Sequence, residues 1–286
     1  VEGLKPTLNI IKHTKKIAIA NKEGIICGWN LLNKEIKKNK TKFIPVDSEH
    51  FSIWYSLKNN NDDIEKIFLT ASGGPFHDTP LKNFKNIKIK DALKHPNWKM
   101  GKKISIDSAT MMNKVFEIIE AKKIFDVDYK KLAILTHPQS YIHSIIKFNN
   151  GFIKIIAHDT DMKIPIFNTI YHDVKKKIKT KKINLKYLNN TMLAKIDNDK
   201  FPVVNILKNL PESDSLFETV LVTANDELVK LFLKNKIKFT DISKKLLIIN
   251  KNPKFTQYKK IQPKNINDIL KLNKYLRVNI NFKDIN

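Results

Sequence analysis

The amino-acid sequence predicts an α/β fold with a mixed β-sheet and a helical C-terminal part, and three observations predict it. Residues 15–46 follow the order strand, helix, strand, which is the order of a βαβ unit with parallel strands. Asn149-Asn150-Gly151 joins two apolar runs, as in an antiparallel hairpin, because Asn-Gly accepts the positive φ of tight turns. After Pro202 the apolar residues recur with helical spacing.

The first half of the chain supplies three strands. KKIAIA at 15–20 and TKFIPV at 41–46 are predicted buried strands, with a helix at 25–38 between them. KIFLTA at 66–71 is a third strand, preceded by a short amphipathic segment at 49–57. A polar cluster follows each strand, and the three clusters begin at Asn21, Asp47 and Ser72. Because ligands of open α/β sheets bind at the carboxyl ends of the strands, we expect these clusters to converge.

The middle of the chain contains a loop, a helix and a strand. The loop at 95–101 is bounded by Pro and Gly and carries Trp98, the composition of a lid or of an ordinary connection. Residues 107–125 predict one helix with Ser108 as its N-cap. LAILT at 132–136 predicts a strand, and the hairpin follows it.

The remaining residues are helical or irregular. Residues 161–172 predict a helix with Pro165 near its N-terminal turn. The Lys- and Asn-rich stretch at 173–200 has weak periodicity, which predicts a linker with a little extended structure. Residues 201–286 predict a helical C-terminal domain.

Composition excludes some classes of function. The 286 residues include 53 Lys+Arg against 28 Asp+Glu, a formal charge of +25. Arg277 is the sole arginine and the lysines are spread along the chain, whereas nucleic-acid readers use arginine and clustered basic residues. No apolar run has the length of a membrane helix, and the single cysteine, Cys27, fits a reducing compartment. We therefore expect a cytoplasmic protein without a nucleic-acid or membrane partner.

Two carboxylates follow the second strand. Asp47 and Glu49 are two residues apart, so in an extended chain they point to the same side and, with Ser48 between them, suit Mg²⁺ or Mn²⁺. The alternative is a helix N-terminus, in which Asp or Ser caps the helix and Glu lies in the first turn. Both alternatives remain open at the level of sequence.

The predicted helix at 107–125 carries a second polar group. Asn113 and Glu117 share one face and Lys114 flanks it, an arrangement that could bind a phosphate or hydroxyl group beside a metal. The alternative is an exposed Lys114–Glu117 ion pair of little energetic weight. Considered singly, His95, His137 and His143 are predicted to be structural.

No single motif identifies a protein family, but the motifs taken together in their order along the chain resemble one family. In chain order they are NKE at 21, PVDSEH at 45, SGGPF at 72, HPNWKMG at 95, KISIDSATMMNKVFE at 103, HPQSYIHS at 137, DMKIPI at 161 and FTDI at 239. This series closely resembles the 1-deoxy-D-xylulose 5-phosphate reductoisomerase family over essentially the whole chain.

The resemblance implies a role for each cluster. It implies Asp47, Glu49 and Glu117 as ligands of a divalent metal, Mg²⁺ or Mn²⁺. It implies two sets of substrate contacts, to the phosphate group and to the rest of the molecule: Ser72, Ser108, Asn113 and Lys114 for the first, and Lys22, Ser48 and His95 for the second. It implies Trp98 and Met100 as a lid, and NADPH contacts at Asn21, Glu23, Gly101 and Met162. We expect Lys114, His95 and Glu49 to be catalytic.

The implied reaction has two stages. A metal-assisted retro-aldol and aldol rearrangement of 1-deoxy-D-xylulose 5-phosphate is followed by reduction with NADPH to 2-C-methyl-D-erythritol 4-phosphate, an isoprenoid precursor of the non-mevalonate pathway. The alternative is a non-catalytic remnant that keeps the fold and its dimerisation. The resemblance also implies a homodimer formed through the hairpin region.

The resemblance implies a Rossmann-like NADPH-binding domain of which residues 1–46 are the tail, followed by a catalytic domain at 47–172. None of the seven glycines forms a G-x-G-x-x-G loop, and no counterpart of the family's first strands precedes Val1. If Val1 begins the molecule, we expect weak or no NADPH binding.

Overall fold

The structure, a computed structural model, describes residues 1–59, 62–98 and 100–280. The chain begins with helix α1 (Leu4–Ile11), strand β1 (Lys16–Ile19), helix α2 (Lys22–Lys38) and strand β2 (Lys42–Pro45). Strands β1 and β2 pair in parallel, with Lys16 opposite Lys42 and Ile19 opposite Pro45. The predicted βαβ unit is therefore confirmed, with its helix beginning three residues earlier than predicted.

A second, mixed sheet follows. The next elements are α3 (Ser48–Leu57), β3 (Ile64–Ala71), α4 (Ile89–Ala92), α5 (Lys102–Thr110), α6 (Met112–Phe125), β4 (Leu132–Thr136), β5 (Ile142–Phe148), β6 (Ile153–Ala157), α7 (Lys163–Tyr171), α8 (Leu185–Asn189) and β7 (Ala194–Lys195). Within the described residues the strand order is β6-β5-β3-β4-β7, with β3 and β4 parallel and the other neighbours antiparallel. The third strand therefore belongs to this sheet and does not extend the β1–β2 pair.

The hairpin and the Lys-rich connection occupy opposite edges of the mixed sheet. Gly151 in the β5–β6 turn has φ +88°, as the Asn-Gly sequence predicts. The connection at 173–200 contains the short helix α8 and the strand β7, which pairs with β4. The extended structure predicted there is thus confirmed, and one helical turn is added to it.

The helix predicted over 107–125 is wrong in one respect, because two helices meet there. Met111 lies between α5 and α6 in the left-handed region, with φ +67°. Ser108 is in the last turn of α5, so it is not an N-cap. Thr110, the last residue of α5, donates its hydroxyl to the Ile106 carbonyl at 3.0 Å. Burial of the Met111 side chain, about 1.5–3 kcal/mol, offsets the strain of about 1–2 kcal/mol.

Helices form the C-terminal part, as predicted. A 3₁₀-helix at Pro202–Asn209 precedes α9 (Phe217–Leu233), α10 (Phe239–Ile249), α11 (Pro253–Thr256) and α12 (Ile266–Asn279). Helix α9 packs against α2, α5, α10 and α12, so it shares one hydrophobic core with the helices that carry the polar clusters. Cys27 is buried in this core, as predicted for a small apolar residue. Over the described ranges, no helix has the length and apolarity needed to cross a bilayer.

Candidate active site

The three predicted polar clusters meet at one cavity of about 620 Å³. The start of α2 contributes Lys22, the start of α3 contributes Asp47, Ser48 and Glu49, and the turn after β3 contributes Ser72. Helices α5 and α6 close the opposite wall. The predicted convergence is therefore confirmed, although the third cluster comes from the other sheet.

Three carboxylates converge in this cavity. Single oxygens of Asp47, Glu49 and Glu117 all lie within 4.8 Å of one another. Asp47 occupies the N-cap position of α3 but makes no side-chain capping bond, and Glu49 lies in the first turn. The extended arrangement predicted for this pair is wrong, because the helix has already begun. The helix N-terminus favours negative charge there, and both side chains remain free of capping contacts to face Glu117.

Two lysines, of which Lys114 is buried and Lys22 partly buried, neutralise the carboxylates. Lys22 Nζ lies 2.8 Å from Asp47 Oδ2 and 3.0 Å from Glu117 Oε1, and it donates to Asn113 Oδ1 at 2.9 Å. Lys114 Nζ lies 2.8 Å from Glu49 Oε1 and also pairs with Glu117. Lys114 is 4% exposed, so the exposed Lys114–Glu117 pair is not formed. The cluster is compact and carries one more acidic than basic group.

The charges perturb one another. Burial and the nearby Glu117 carboxylate raise the pKa of Glu49 to about 7, although Lys114 opposes them. Burial alone would raise the pKa of Asp47, but the Lys22 ammonium holds it well below its usual range. Burial alone would lower the pKa of Lys22, but Asp47 and Glu117 raise it well above its ordinary value. At neutral pH Asp47 is therefore charged, whereas Glu49 is partly protonated.

The donor set fits a hard divalent cation. Three carboxylates offer only oxygen ligands, which Mg²⁺ and Mn²⁺ prefer, and the cavity leaves room for further ligands from a bound molecule. A cation would compete with the two ammonium groups for the same oxygens. It would also draw the proton from Glu49, because metal ligands bind as carboxylates.

Two buried residues behind the cluster escaped the sequence prediction. His50 Nε2 donates to the Glu117 carbonyl at 2.9 Å, and its Nδ1 faces Glu120 at 3.7 Å. Burial raises the pKa of Glu120 to about 7. Asp47, His50 and Glu120 form a second group within 4.8 Å. The available signals were the adjacency of His50 to Glu49 and the i, i+3 spacing of Glu117 and Glu120.

The turn after β3 places its backbone against α5. Gly73 and Gly74 have φ of +83° and +65°, and a Cβ on Gly74 would lie 2.9 Å from the Ser108 carbonyl oxygen. Ser72 Oγ accepts from the Gly74 amide at 3.1 Å. Ser72 and Ser108 thus line the cavity together, with side-chain-free backbone between them. Such a turn suits the close approach of an anion.

His95 links this turn to the backbone of Asn97 and Trp98. Its Nδ1 accepts from the amides of Asn97 and Trp98 at 3.2 and 3.0 Å, so the proton resides on Nε2, which lies 3.2 Å from Ser72 Oγ. Burial lowers the pKa of His95 to about 4. Trp98 and Met100 line the cavity, whereas Lys99 between them lies outside the described residues.

Of the four residues expected to contact NADPH, three lie in the cavity wall and one does not. Glu23, Gly101 and Met162 line the cavity. Asn21 instead caps α2, its Oδ1 accepting from the Gly24 amide at 2.8 Å, and its amide donates to Glu23. A Cβ on Gly101 would meet nothing within 4 Å, so the backbone there faces open space.

The other predicted positions have well-defined partners. Ser48 Oγ donates to Glu49 Oε2 at 2.6 Å, and the Asn113 amide donates to Glu117. His137 Nε2 accepts from the amides of Tyr141 and Ile142, which matches the structural role predicted for it. His143 is 3% exposed and lines the cavity wall, stacked on His158.

Sequence comparisons point to one family. Three family models match: "1-deoxy-D-xylulose 5-phosphate reductoisomerase C-terminal domain" at 43–125, "DXP reductoisomerase C-terminal domain" at 158–279, and "1-deoxy-D-xylulose 5-phosphate reductoisomerase" at 1–28. A relative of that name from Pelagibacter ubique is 64% identical over 280 residues, covering 98% of this chain and 72% of the relative. Another from Clostridium kluyveri is 42% identical, and the match covers 84% of this chain and 63% of that relative.

Solved structures agree with the sequence comparisons. The fold matches a crystal structure of DOX-P reductoisomerase in complex with NADPH, fosmidomycin and magnesium, with a TM-score of 0.88, 32% identity, and coverage of 96% of this chain and 71% of that one. It also matches the enzyme from Zymomonas mobilis in complex with NADPH, with a TM-score of 0.84, 32% identity, and coverage of 96% and 70%.

Proposed function

The chain belongs to the 1-deoxy-D-xylulose 5-phosphate reductoisomerase family. From that premise we propose that it catalyses the conversion of 1-deoxy-D-xylulose 5-phosphate to 2-C-methyl-D-erythritol 4-phosphate. The reaction uses NADPH and a divalent cation and supplies isoprenoid synthesis by the non-mevalonate pathway. One observation carries the proposal: three carboxylates and two lysines, of which Glu117 and Lys114 are buried and the others partly buried, converge at a single cavity that Trp98 also lines. A non-catalytic remnant is not favoured, since the whole charged cluster is in place.

We assign the cation to Asp47, Glu49 and Glu117. A bound Mg²⁺ or Mn²⁺ polarises carbonyl and hydroxyl oxygens and stabilises the negative charge that develops on them. The structure of a family member with magnesium and fosmidomycin supports magnesium as one such ion. Manganese is assigned from the all-carboxylate donor set, which suits both ions.

We assign the substrate phosphate to Ser72, Ser108, Asn113 and Lys114. Lys114 supplies a full positive charge, while the serines and Asn113 supply neutral donors around it. The two serines flank Gly74, whose backbone approaches within van der Waals distance of α5. Phosphate binding would draw Lys114 away from Glu49 and so free that carboxylate.

We assign the remaining substrate contacts to Lys22, Ser48 and His95. His95 is neutral at physiological pH and presents Nε2–H as a donor beside Ser72, so it can orient a substrate oxygen without adding charge. Glu49 would bind the cation as a carboxylate and also lies 2.8 Å from Lys114, so it holds both positive groups beside a substrate oxygen. Lys114, His95 and Glu49 are therefore the residues that we propose to be catalytic.

We assign NADPH contacts to Asn21, Glu23 and Gly101, and we place the nicotinamide near Met162. NADPH supplies the hydride that reduces the rearranged aldehyde. We assign the lid to Trp98 and Met100, which line the cavity; closing over a bound substrate, they would exclude water and strengthen the electrostatic interactions inside.

We further propose that two copies of the chain associate through the hairpin. On the edge strand β6, Ile153 and Ile155 are 56% and 53% exposed, and Phe152 in the turn before it is 71% exposed. An exposed apolar edge strand is a surface that proteins normally cover. The domain limits at 46, 172 and 200 and the cytoplasmic location stay predictions.

Product analysis tests the proposed reaction. A protein that joins this chain to the N-terminal NADPH-binding part of a family member is supplied with 1-deoxy-D-xylulose 5-phosphate, NADPH and Mg²⁺, and the phosphorylated products are identified by NMR. We expect 2-C-methyl-D-erythritol 4-phosphate, and none of it from Glu117→Gln. Binding of the substrate with the same affinity to both proteins would contradict the assignment of the cation to Glu117.

A further inference from the structure

Arg277, the sole arginine among 53 basic residues, has an unusually complete set of partners. On α12, its Nη2 donates to Asp226 Oδ2 at 2.9 Å, its Nη1 donates to Glu227, and its Nε donates to Asn273 Oδ1 at 3.1 Å. Lysine occupies every other basic position of the chain. A lysine ammonium cannot reach three acceptors in the plane of a guanidinium fork, so this position has a requirement that the others lack.

Asp226 contacts both Arg277 and Lys103, and Lys103 lines the cavity. Its second oxygen, Oδ1, lies 3.4 Å from Lys103 Nζ. The same ammonium donates to Asp107 Oδ2 at 2.7 Å and to Glu23 Oε1 at 2.9 Å. Asp107 is 2% exposed, and its other oxygen accepts from Asn225 on α9 at 2.7 Å. A continuous series of charged contacts therefore runs from α12 through α9 to the first turns of α5 and α2.

Lys103 lies where this series can influence the site. It lines the cavity and is the second residue of α5, two residues after Gly101, at which the lid segment ends. Its partner Glu23 directly follows Lys22, which holds Asp47 and Glu117. The Lys103 ammonium thus joins two rims of the cavity that belong to different helices.

The charge balance explains why Arg277 matters at a distance. Three carboxylates surround Lys103, those of Glu23, Asp107 and Asp226. Arg277 is the second cation on Asp226 within the described part of the chain. Without Arg277, Asp226 would draw the Lys103 ammonium more strongly towards α9 and weaken its contact with Glu23.

We propose that Arg277, acting through Asp226 and Lys103, is a positioning residue that holds the starts of α2 and α5 together at the mouth of the cavity. Arg277 touches neither substrate nor cofactor in this account. The inference rests on the proposed function only for the identity of the ligand used to test it. The fixed spacing of the two helix starts sets how well the cavity receives a bound molecule.

The test compares Arg277→Met with Lys230→Met. Lys230 Nζ lies 2.7 Å from Glu227, a carboxylate that Arg277 also contacts, but Lys230 does not contact Asp226. Its substitution therefore removes an ion pair from α9 and leaves the contacts of Asp226 with Arg277 and Lys103 in place. Two quantities are measured on the whole chain: amide hydrogen exchange at residues 22–25 and 102–106, and the affinity for fosmidomycin in the presence of Mg²⁺ by calorimetry. We expect exchange about tenfold faster and affinity about tenfold weaker in Arg277→Met, with Lys230→Met matching the wild type.

Further variants separate positioning from general stability. Arg277→Lys keeps the charge and should recover only part of the affinity, because an ammonium lacks the planar fork that directs separate N–H groups at Asp226, Glu227 and Asn273. If Arg277→Met does not fold, Arg277→Gln also leaves Asp226 without its second cation while keeping a polar side chain on α12, so it should show the same two effects. Equal exchange and affinity in Arg277→Met and Lys230→Met would overturn the inference. Absence of fosmidomycin binding to the wild type would count against the proposed function instead, and hydrogen exchange would still decide the positioning role.

Discussion

Glu117→Gln is the substitution that most sharply probes the carboxylate cluster. Glutamine keeps the size of the side chain and one oxygen, but it removes one of the three charges. Because Lys22 retains Asp47 and Lys114 retains Glu49 at 2.8 Å, neither ammonium is left without a partner. We therefore expect a modest loss of folding stability, about 1–2 kcal/mol, and a much larger loss of Mg²⁺ affinity.

The size of the second effect follows from the geometry. Two unit charges about 4 Å apart attract by about 4 kcal/mol at an effective dielectric constant near 20, and a divalent cation doubles this to about 8 kcal/mol. Part of that energy is regained by the amide oxygen, and part was already opposed by the Lys22 and Lys114 contacts that a cation must displace. About 3 kcal/mol remains, which corresponds to about 100-fold in Kd.

Calorimetric titration with Mg²⁺ measures this effect directly. Glu218→Gln is the matched control, because Glu218 is a 1% exposed carboxylate that pairs with Lys123 at 2.9 Å on α9, outside the cavity lining. Both variants should lose stability, but only Glu117→Gln should lose Mg²⁺ affinity. A Glu117→Gln protein that binds Mg²⁺ within a factor of three of the wild type would refute the reasoning.

Three other predictions follow from the same structure. Burial holds the pKa of His95 at about 4, against 6.5 for a free histidine, so the unfolded chain takes up a proton first as the pH falls. From pH 6.5 down to pH 4 the free energy of unfolding, measured with urea, should therefore fall more for the wild type than for His95→Gln. Parallel pH profiles of the two proteins would exclude the buried neutral ring. Gly74→Ala should destabilise the fold by about 1–2 kcal/mol and weaken substrate binding through the Ser108 carbonyl. Gly151→Ala carries only the strain of φ +88° and should leave substrate binding unchanged; weakening by both variants to the same degree would disprove the contact. Ile155→Lys should yield monomers in sedimentation velocity, and a persistent dimer would move the interface elsewhere.

Local sequence patterns predicted the secondary structure of those segments whose conformation depends mainly on their own residues. The strands β1 and β2 and the hairpin around Gly151 follow from apolar runs and from turn chemistry that involves few residues. The family resemblance predicted most of the polar residues that line the cavity. The break at Met111 carries no Gly or Pro signal, because it is stabilised by burial of the methionine in a core that forms only in the folded chain.

Long-range electrostatics could not be predicted from spacing. Ninety-five residues separate Lys22 from Glu117, and 80 separate Lys103 from Glu23. No local sequence pattern predicts either pair. For the same reason the Lys114–Glu117 pair looked like an exposed helix-surface contact, whereas the packing of α3 and α2 against α6 buries it. The helical start at Asp47 likewise replaced the extended arrangement of the two carboxylates.

Cation-dependent binding of the substrate tests the central claim most directly. The chain is titrated with 1-deoxy-D-xylulose 5-phosphate in the calorimeter, once with Mg²⁺ and once with a chelator. Because the substrate oxygens are assigned to a cation held by Asp47, Glu49 and Glu117, binding should be tight with Mg²⁺ and weaker by at least about tenfold without it. Equal affinity in the two titrations, or no binding in either, would contradict the account.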